Sequence, residues 1–299
     1  MGEAGKYILF LGCTIPYRVS SYEISARKVL QKLSVELVEM PEFNCCGLPL
    51  EPLSHELTLT LSARNLAIAE REGLNILTLC PGCAGMLKKT SKTLREDKSL
   101  REDVNKRLRE SGLEFKGSVS VKHISQLLVE DVGLDRLKKS IIKPLRGLRV
   151  AEHSGCHISR PKKYLEFDDP ENPRVLKMLI EATGAKCVDY MDETECCGAT
   201  VAGIDDKISL SLVREKLSHV KSANAVALIT MCPSCHLMYD ANQIRVERMF
   251  KETYNIPVLH YTQLLGLAMG IPPEELGFDD LRVNPSRIVK YAMEIKARV

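Results

Sequence analysis

The chain has 299 residues, 44% of them hydrophobic, enough to bury one large core or two cores of about 150 residues each. Its formal net charge is only +3, and no basic tract is interleaved with aromatics, so DNA and RNA are not expected as partners. No stretch approaches the roughly 18 apolar residues of a membrane span. The N-terminus, with Glu3 and the strand-like run Tyr7 to Leu11, lacks a signal-peptide pattern, so a soluble, cytoplasmic protein is expected.

In chain order, a β-branched and apolar run, Tyr7-Ile8-Leu9-Phe10-Leu11, reads as a buried strand and ends just before Cys13. A shorter strand-like run from Val35 to Met40 precedes Cys45-Cys46-Gly47. The next segment predicts a helix from a cap at Ser54 to a stop at Gly73. A strand at Asn75 to Leu79 then leads into Cys80-Pro81-Gly82-Cys83. From Lys88 to Glu110 the chain is highly charged, with Leu100, Val104 and Leu108 at helical spacing, and predicts a solvated helix. Pro144 and Gly147, in Lys143-Pro144-Leu145-Arg146-Gly147, mark a boundary.

The second half repeats this order. A strand at Leu148 to Ala151 precedes Cys156, and Asn172-Pro173 is expected to cap and open a helix with Val175, Met178, Leu179 and Ala182 on one face, stopped by Gly184. Cys187 to Tyr190 reads as a short strand before Cys196-Cys197-Gly198. Leu210, Val213, Leu217 and Val220 have helical spacing, and Ala225 to Thr230 forms a strand before Cys232-Pro233-Ser234-Cys235. Each half closes on a related segment, Val121 to Leu128 and Val258 to Leu265, matching at His123 and His260, at Gln126 and Gln263, and at two leucines. After Ile271, Pro272-Pro273 and an amphipathic run near Val289 to Val299 make a tail that would cap the core or meet a partner. Strands alternating with helices predict an α/β fold of two tandem half-domains, residues 1–146 and 147–299, each a Rossmann-like, mostly parallel sheet flanked by helices.

Ten of the eleven cysteines fall into the two copies, C-x31-CC-x33-C-x2-C and C-x39-CC-x34-C-x2-C. The first cysteine and the C-x2-C pair of each copy directly follow strands, and ligands of such sheets sit outside the strands' carboxyl ends, so five thiols can converge in each half. In a reducing cytosol, cysteines at such spacings are read as ligands or redox centres before disulfides. Zinc is the main alternative, but a zinc site closes with four ligands, commonly from a compact local hairpin. Here each half offers five thiols over a long stretch, which favours a larger centre. Gly47 and Gly198 suit a left-handed turn after the paired cysteines, and Pro81 and Pro233 stiffen the C-x2-C turns. Cys187 has no counterpart in the first half and reads as a small buried hydrophobe. His123 and His260 read as hydrogen-bonded structural residues at strand ends.

The paired motif resembles the CCG-domain family. The tract His153-Ser154-Gly155-Cys156-His157, followed by Phe167-Asp168-Asp169-Pro170-Glu171-Asn172-Pro173, is similar to the catalytic B subunit of soluble heterodisulfide reductases, and the resemblance covers nearly the whole chain. It implies two non-cubane [4Fe-4S] clusters, one held by Cys13, Cys45, Cys46, Cys80 and Cys83 and the other by Cys156, Cys196, Cys197, Cys232 and Cys235. It implies a cytoplasmic, electron-bifurcating complex of methanogenesis with two further components, one ferredoxin-like (the C subunit) and one flavin-containing (the A subunit), and with a hydrogenase or formate dehydrogenase supplying electrons. The expected substrate is then the mixed disulfide of coenzyme M and coenzyme B, lying between the halves, with each sulfur captured by iron of one cluster. Reduction of a disulfide takes two electrons while an iron–sulfur centre passes one at a time, and two centres facing one pocket resolve the mismatch. Both coenzymes carry anionic groups, so Arg18 and Arg160, with Lys162 and Lys163 beyond, are candidates to bind them, along with His153 and His157 of the tract. Two other readings stand beside this one. The first is a CCG-type electron-transfer component of a glycolate, lactate or glycerol-3-phosphate type dehydrogenase, or of another disulfide reductase. The second is a zinc-stabilised interaction scaffold.

Overall fold

The computed structural model describes residues 5–297, so Glu3 and the end of the run that reaches Val299 lie outside it. Among the described residues, eight short strands form two four-stranded sheets. The first holds β1 (Lys6–Phe10), β2 (Glu36–Val38), β3 (Asn75–Thr78) and β4 (Val121–His123). The second holds β5 (Arg149–His153), β6 (Lys186–Cys187), β7 (Leu228–Thr230) and β8 (Val258–His260). The spatial orders are β2-β1-β3-β4 and β6-β5-β7-β8, and every pairing is parallel. In each sheet the chain leaves the first strand for one side and returns on the other. That reversal opens a crevice at the carboxyl ends of β1 and β3, and of β5 and β7.

The helices of the first half are α1 (Ile15–Arg18), α2 (Ser20–Lys32), α3 (His55–Glu72), α4 (Pro81–Glu96), α5 (Lys98–Leu108), α6 (Ile124–Leu127) and α7 (Leu134–Lys139). Those of the second are α8 (Lys162–Leu165), α9 (Val175–Ala182), α10 (Asp206–Ser222), α11 (Pro233–Asp240), α12 (Gln243–Phe250), α13 (Tyr261–Ala268) and α14 (Ser286–Glu294). The expected caps of α3 are present: the Ser54 hydroxyl accepts from the Leu57 amide, and Gly73 closes the helix at φ 66°. Asp205 caps α10 in the same way, accepting from the Ile208 amide.

Two helix expectations need correction. The charged stretch 88–110 is not one solvated helix, because Asp97 is extended (φ −108°, ψ 101°), ends α4 and caps α5 through the Leu100 amide. Leu94, Val104 and Leu108 along it are buried. Asn172-Pro173 does not cap α9, which begins at Val175. Asp168 supplies the cap from outside the helix, its carboxylate accepting from the amides of Arg174 and Val175. The two strands before the paired cysteines are shorter than the apolar runs that predict them, at three and two residues.

Side chains alternate across each strand, and the two faces go to different cores. Ile8, Phe10 and Ile76 pack with Leu59, Leu66 and Leu87 of α3 and α4. Ala151, Leu228 and Val258 pack with Val213, Leu217 and Tyr239 of α10 and α11. The opposite faces, with Leu9 and Leu77 of the first sheet and Val150, Ile229 and Leu259 of the second, share one central core with α2, α6, α9 and α13. The halves are thus fused through a common layer. Helix α2 lies on α13, where the hydroxyls of Ser25 and Thr262 are 2.7 Å apart. Among the described residues no helix is long and apolar enough to cross a membrane.

Candidate metal centres

Each crevice gathers five cysteines from three connections. In the first half Cys13 follows β1, Cys45 and Cys46 follow β2, and Cys80 is the N-cap of α4 with Cys83 in its first turn. The sulfurs of Cys13 and Cys45 are 3.7 Å apart. Cys46 meets Cys45 and Cys83, and Cys83 meets Cys80, so the thiols form a continuous chain. Cys13 faces solvent whereas Cys46 and Cys83 are buried. In the second half Cys197 contacts Cys196 and Cys235, and Cys235 contacts Cys232. Cys156 lies near enough to Cys232 and Cys197 to feel their charge.

In a crowded set of thiols, those that accept hydrogen bonds from neighbours ionise most easily and those that donate are held protonated. In the first half Cys46 is pulled down to about 5 by Cys45 and then Cys83, and Cys80 is lowered by Cys83. Cys197 is the equivalent of Cys46, held far below the usual thiol range by Cys196, then by Cys235 and His153. Cys83 and Cys235 are pushed up by those same neighbours. None of the eleven cysteines is in a disulfide. Five soft donors per site exceed the four that zinc takes and suit an iron–sulfur cluster.

The turns that carry the paired cysteines require glycine. Gly47 and Gly198 have φ of 88° and 82°, and a Cβ on either would lie 3.0 Å from a helix carbonyl oxygen, that of Thr58 or of Ser209. Those same residues bind the turns, with the Thr58 and Ser209 hydroxyls donating to the carbonyls of Gly47 and Gly198. Gly47→Ala and Gly198→Ala are each expected to destabilise the protein by about 1–3 kcal/mol through left-handed strain and crowding. A lowered thermal midpoint with reduced metal retention checks this.

The two sites differ in their floors. The register Phe10↔Thr78 in the first sheet matches His153↔Thr230 in the second, so Leu9-Phe10-Leu11 of one half stands where Glu152-His153-Ser154 stands in the other. Phe10 is fully buried and packs on Phe43. His153 is equally enclosed, edge-on to Tyr239 and grouped with the sulfurs of Cys197 and Cys235, the three ligand atoms within 4.8 Å of one another. Burial pushes the Glu152 carboxyl up to about 7, against the opposing effect of the Ser154 hydroxyl, which donates to it at 2.7 Å. Asn65 of α3, whose amide binds the backbone of Asn44 and Cys45, is matched in α10 by Lys216, a buried ammonium that donates to the Asp192 carbonyl. Burial brings Lys216 down to about 8.

A small pocket joins Glu152, His153 and Cys156 to Arg160 and Glu193. His157 is beside Cys156, its Nδ1 3.3 Å from that sulfur. Arg160 is exposed, with Nε donating to the Pro170 carbonyl at 2.8 Å. The structure therefore gathers His153, His157 and Arg160 around the second site, with Lys162 and Lys163 in the adjoining α8. Arg18 lies apart from that pocket, exposed at the end of α1 in the first half. Cys187 is buried in the shared core, its thiol pushed up by burial. His123 is hydrogen-bonded as expected, with Nε2 3.1 Å from the Leu79 carbonyl oxygen and Nδ1 on Ser125. His260 likewise ends its strand as the N-cap of α13, its amide donating to the Gln263 side chain at 3.0 Å, and its ring is stacked between Tyr22 and His236 at 4.0 Å from each.

Tyr22 had no sequence signal beyond an apolar position on α2. Its hydroxyl donates to the Met231 carbonyl and feels the thiols of both Cys232 and Cys80, so it stands between the two cysteine sites. Around the sites, matched positions carry exposed apolar side chains, Leu53 and Leu57 in the first half and Ile204 and Ile208 in the second.

The family model of the CCG cysteine-rich domain matches residues 7–88 and 150–240. The chain is 38% identical over 296 residues to the B subunit of the ferredoxin/F420H2-dependent CoB-CoM heterodisulfide reductase of Methanosarcina acetivorans, covering 98% of each chain. It is 29% identical over 287 residues to the 8-methylmenaquinol:fumarate reductase membrane anchor subunit of Wolinella succinogenes, covering 95% of this chain and 99% of that one. A crystal structure of a hypothetical protein from Helicobacter pylori superposes with a TM-score of 0.75 at 16% identity. It covers 95% of this chain, which spans about half (53%) of that one, and the likeness is one of fold.

Proposed function

The chain belongs to the CCG family of cysteine-rich domains, with the B subunit of heterodisulfide reductase among its relatives, and on that premise we propose that it is the iron–sulfur protein that reduces the mixed disulfide of coenzyme M and coenzyme B. The observation that carries this reading is the pair of complete five-thiol sites on one fused scaffold, with Tyr22 close to a cysteine of each. Cys13, Cys45, Cys46, Cys80 and Cys83 would hold one non-cubane [4Fe-4S] cluster, and Cys156, Cys196, Cys197, Cys232 and Cys235 the other. When bound, these groups supply two electrons in single steps, which with two protons convert one disulfide to two thiols.

The protein's own side chains bind the substrate and provide protons. Arg160, with Lys162 and Lys163 next to it, offers charge-assisted donors to an anionic coenzyme arm at the mouth of the second site, and Arg18 does so from the first half. Glu152, with a carboxyl held up to about 7, can carry a proton on its carboxylate oxygen in the same pocket. The His153 and His157 rings line the approach to Cys156. Electrons come from a ferredoxin-like partner, supplied through a flavin-containing partner and a hydrogenase or formate dehydrogenase in a cytoplasmic complex. The exposed Leu53, Leu57, Ile204 and Ile208 offer apolar footing for such partners.

Anaerobic protein should oxidise reduced viologen only when the coenzyme M–coenzyme B disulfide is added, releasing two thiols per disulfide. No turnover in protein with its full iron would instead favour electron relay, a role for which the similarity to a fumarate reductase component leaves room. Arg160→Ala should raise KM about tenfold or more, the worth of a hydrogen bond between charged groups, and leave iron content unchanged. An unaltered KM would remove Arg160 from the substrate site.

A further inference from the structure

We infer that His153 donates a hydrogen bond to the Cys197 thiolate and thereby sets the second metal centre at a higher reduction potential than the first. This rests on the iron–sulfur reading above. Phe10 and His153 occupy one register position in two copies of the same sheet, each at the end of the central strand three residues before a cysteine. The surroundings of Phe10 are apolar. His153 is only 2% exposed, and its ring nitrogens are buried without a close, well-aligned hydrogen bond.

A neutral imidazole must carry one N–H, and a buried donor without an acceptor loses about 1–3 kcal/mol. Two acceptors lie near the ring, the sulfur of Cys197 with Cys235 beside it and the Glu193 backbone carbonyl, and a charged thiolate draws the N–H more strongly than a neutral carbonyl. A second asymmetry acts in the same direction, because the buried Lys216 ammonium, close enough to Cys235 to feel its charge, stands where the first half has the neutral Asn65. One backbone donor is common to the two sites: the Gly47 amide donates to Cys45 at 3.5 Å and the Gly198 amide to Cys196 at 3.3 Å.

A hydrogen bond to a ligating sulfur draws electron density from it and favours the more negative, reduced state. The centre next to His153 is therefore the one that fills first. The gradient runs from the solvent-facing first site towards the second, where Arg160 and Glu152 line the pocket. His153 is a positioning residue in this account, acting through Cys197.

The test is an anaerobic redox titration followed by EPR on the whole protein, with iron measured on each sample, for the native chain, His153→Phe and His153→Gln. The native chain should show two separated midpoints. His153→Phe, which copies the first half, should keep its full iron while the upper midpoint falls towards the lower. His153→Gln, which keeps an N–H donor, should restore part of the gap. An upper midpoint unmoved in fully loaded His153→Phe overturns the inference and leaves the iron–sulfur reading intact. Loss of half the iron in both variants overturns it too, since His153 would then hold the site together and not tune it. A native chain without iron would defeat the underlying reading instead.

Discussion

Cys197→Ser is expected to leave about four of about eight irons per chain and to lower disulfide reduction more than about a hundredfold. Changes to residues that support a metal's ligands already cost about 10- to 100-fold, and on the proposed reading Cys197 is itself a ligand. It is the buried hub of the second site, touching Cys196 and Cys235 and lying beside His153. A serine oxygen is too hard a donor for the task, and its hydroxyl does not ionise near neutral pH as the thiol does. The first site has its own five thiols and its own apolar floor, so it should load normally. Cys187→Ser is the matched control. That thiol is buried in the shared core and belongs to neither five-cysteine group, so its replacement should leave iron untouched and cost about 1–3 kcal/mol for a buried hydroxyl lacking a partner. Iron analysis of the two variants checks both statements, and full iron in Cys197→Ser would remove it from the ligand set.

Tyr22→Ala is expected to lower stability by about 3–5 kcal/mol, the range for deleting a large buried aromatic side chain, and to drop the thermal midpoint by roughly 10 °C. The ring is fully buried, it stacks on His260, and its hydroxyl satisfies the Met231 carbonyl one residue before Cys232. Its removal opens a cavity in the layer that joins the halves. Tyr22→Phe keeps the stack and should lose only about 1 kcal/mol. Because the sheets share one core, calorimetry should show a single transition in the native chain and in both variants. Two separated transitions, or a loss below about 1 kcal/mol in Tyr22→Ala, would contradict the fused-core description.

Much of the site was legible because its elements are local. A β-branched run followed at once by cysteine places a thiol at a strand's carboxyl end. The repeat of three such elements in the same order reveals the duplication and the parallel sheets. Caps made by neighbours in sequence, such as Ser54 and Gly73, were equally readable. What escaped was set by tertiary contacts. Asp168 caps α9 from seven residues away, which no periodicity reveals, and the extended Asp97 divides a stretch whose charge pattern reads as one helix. Strand alternation shows apolar residues on both faces of β1 and β5, yet it cannot show that one face of each meets the other half. Tyr22 belongs to that long-range layer. The contrast between Phe10 and His153 was available, because aligning Leu9 to Cys13 against Glu152 to Cys156 exposes a polar floor in place of an apolar one.

The most direct test is to purify the protein without oxygen, measure iron and zinc per chain, and record EPR with and without the coenzyme M–coenzyme B disulfide and its two thiols. The account predicts about eight irons, as two four-iron clusters require, no zinc, and a signal changed by a coenzyme thiol. Zinc in place of iron, or a signal indifferent to every thiol, would contradict it.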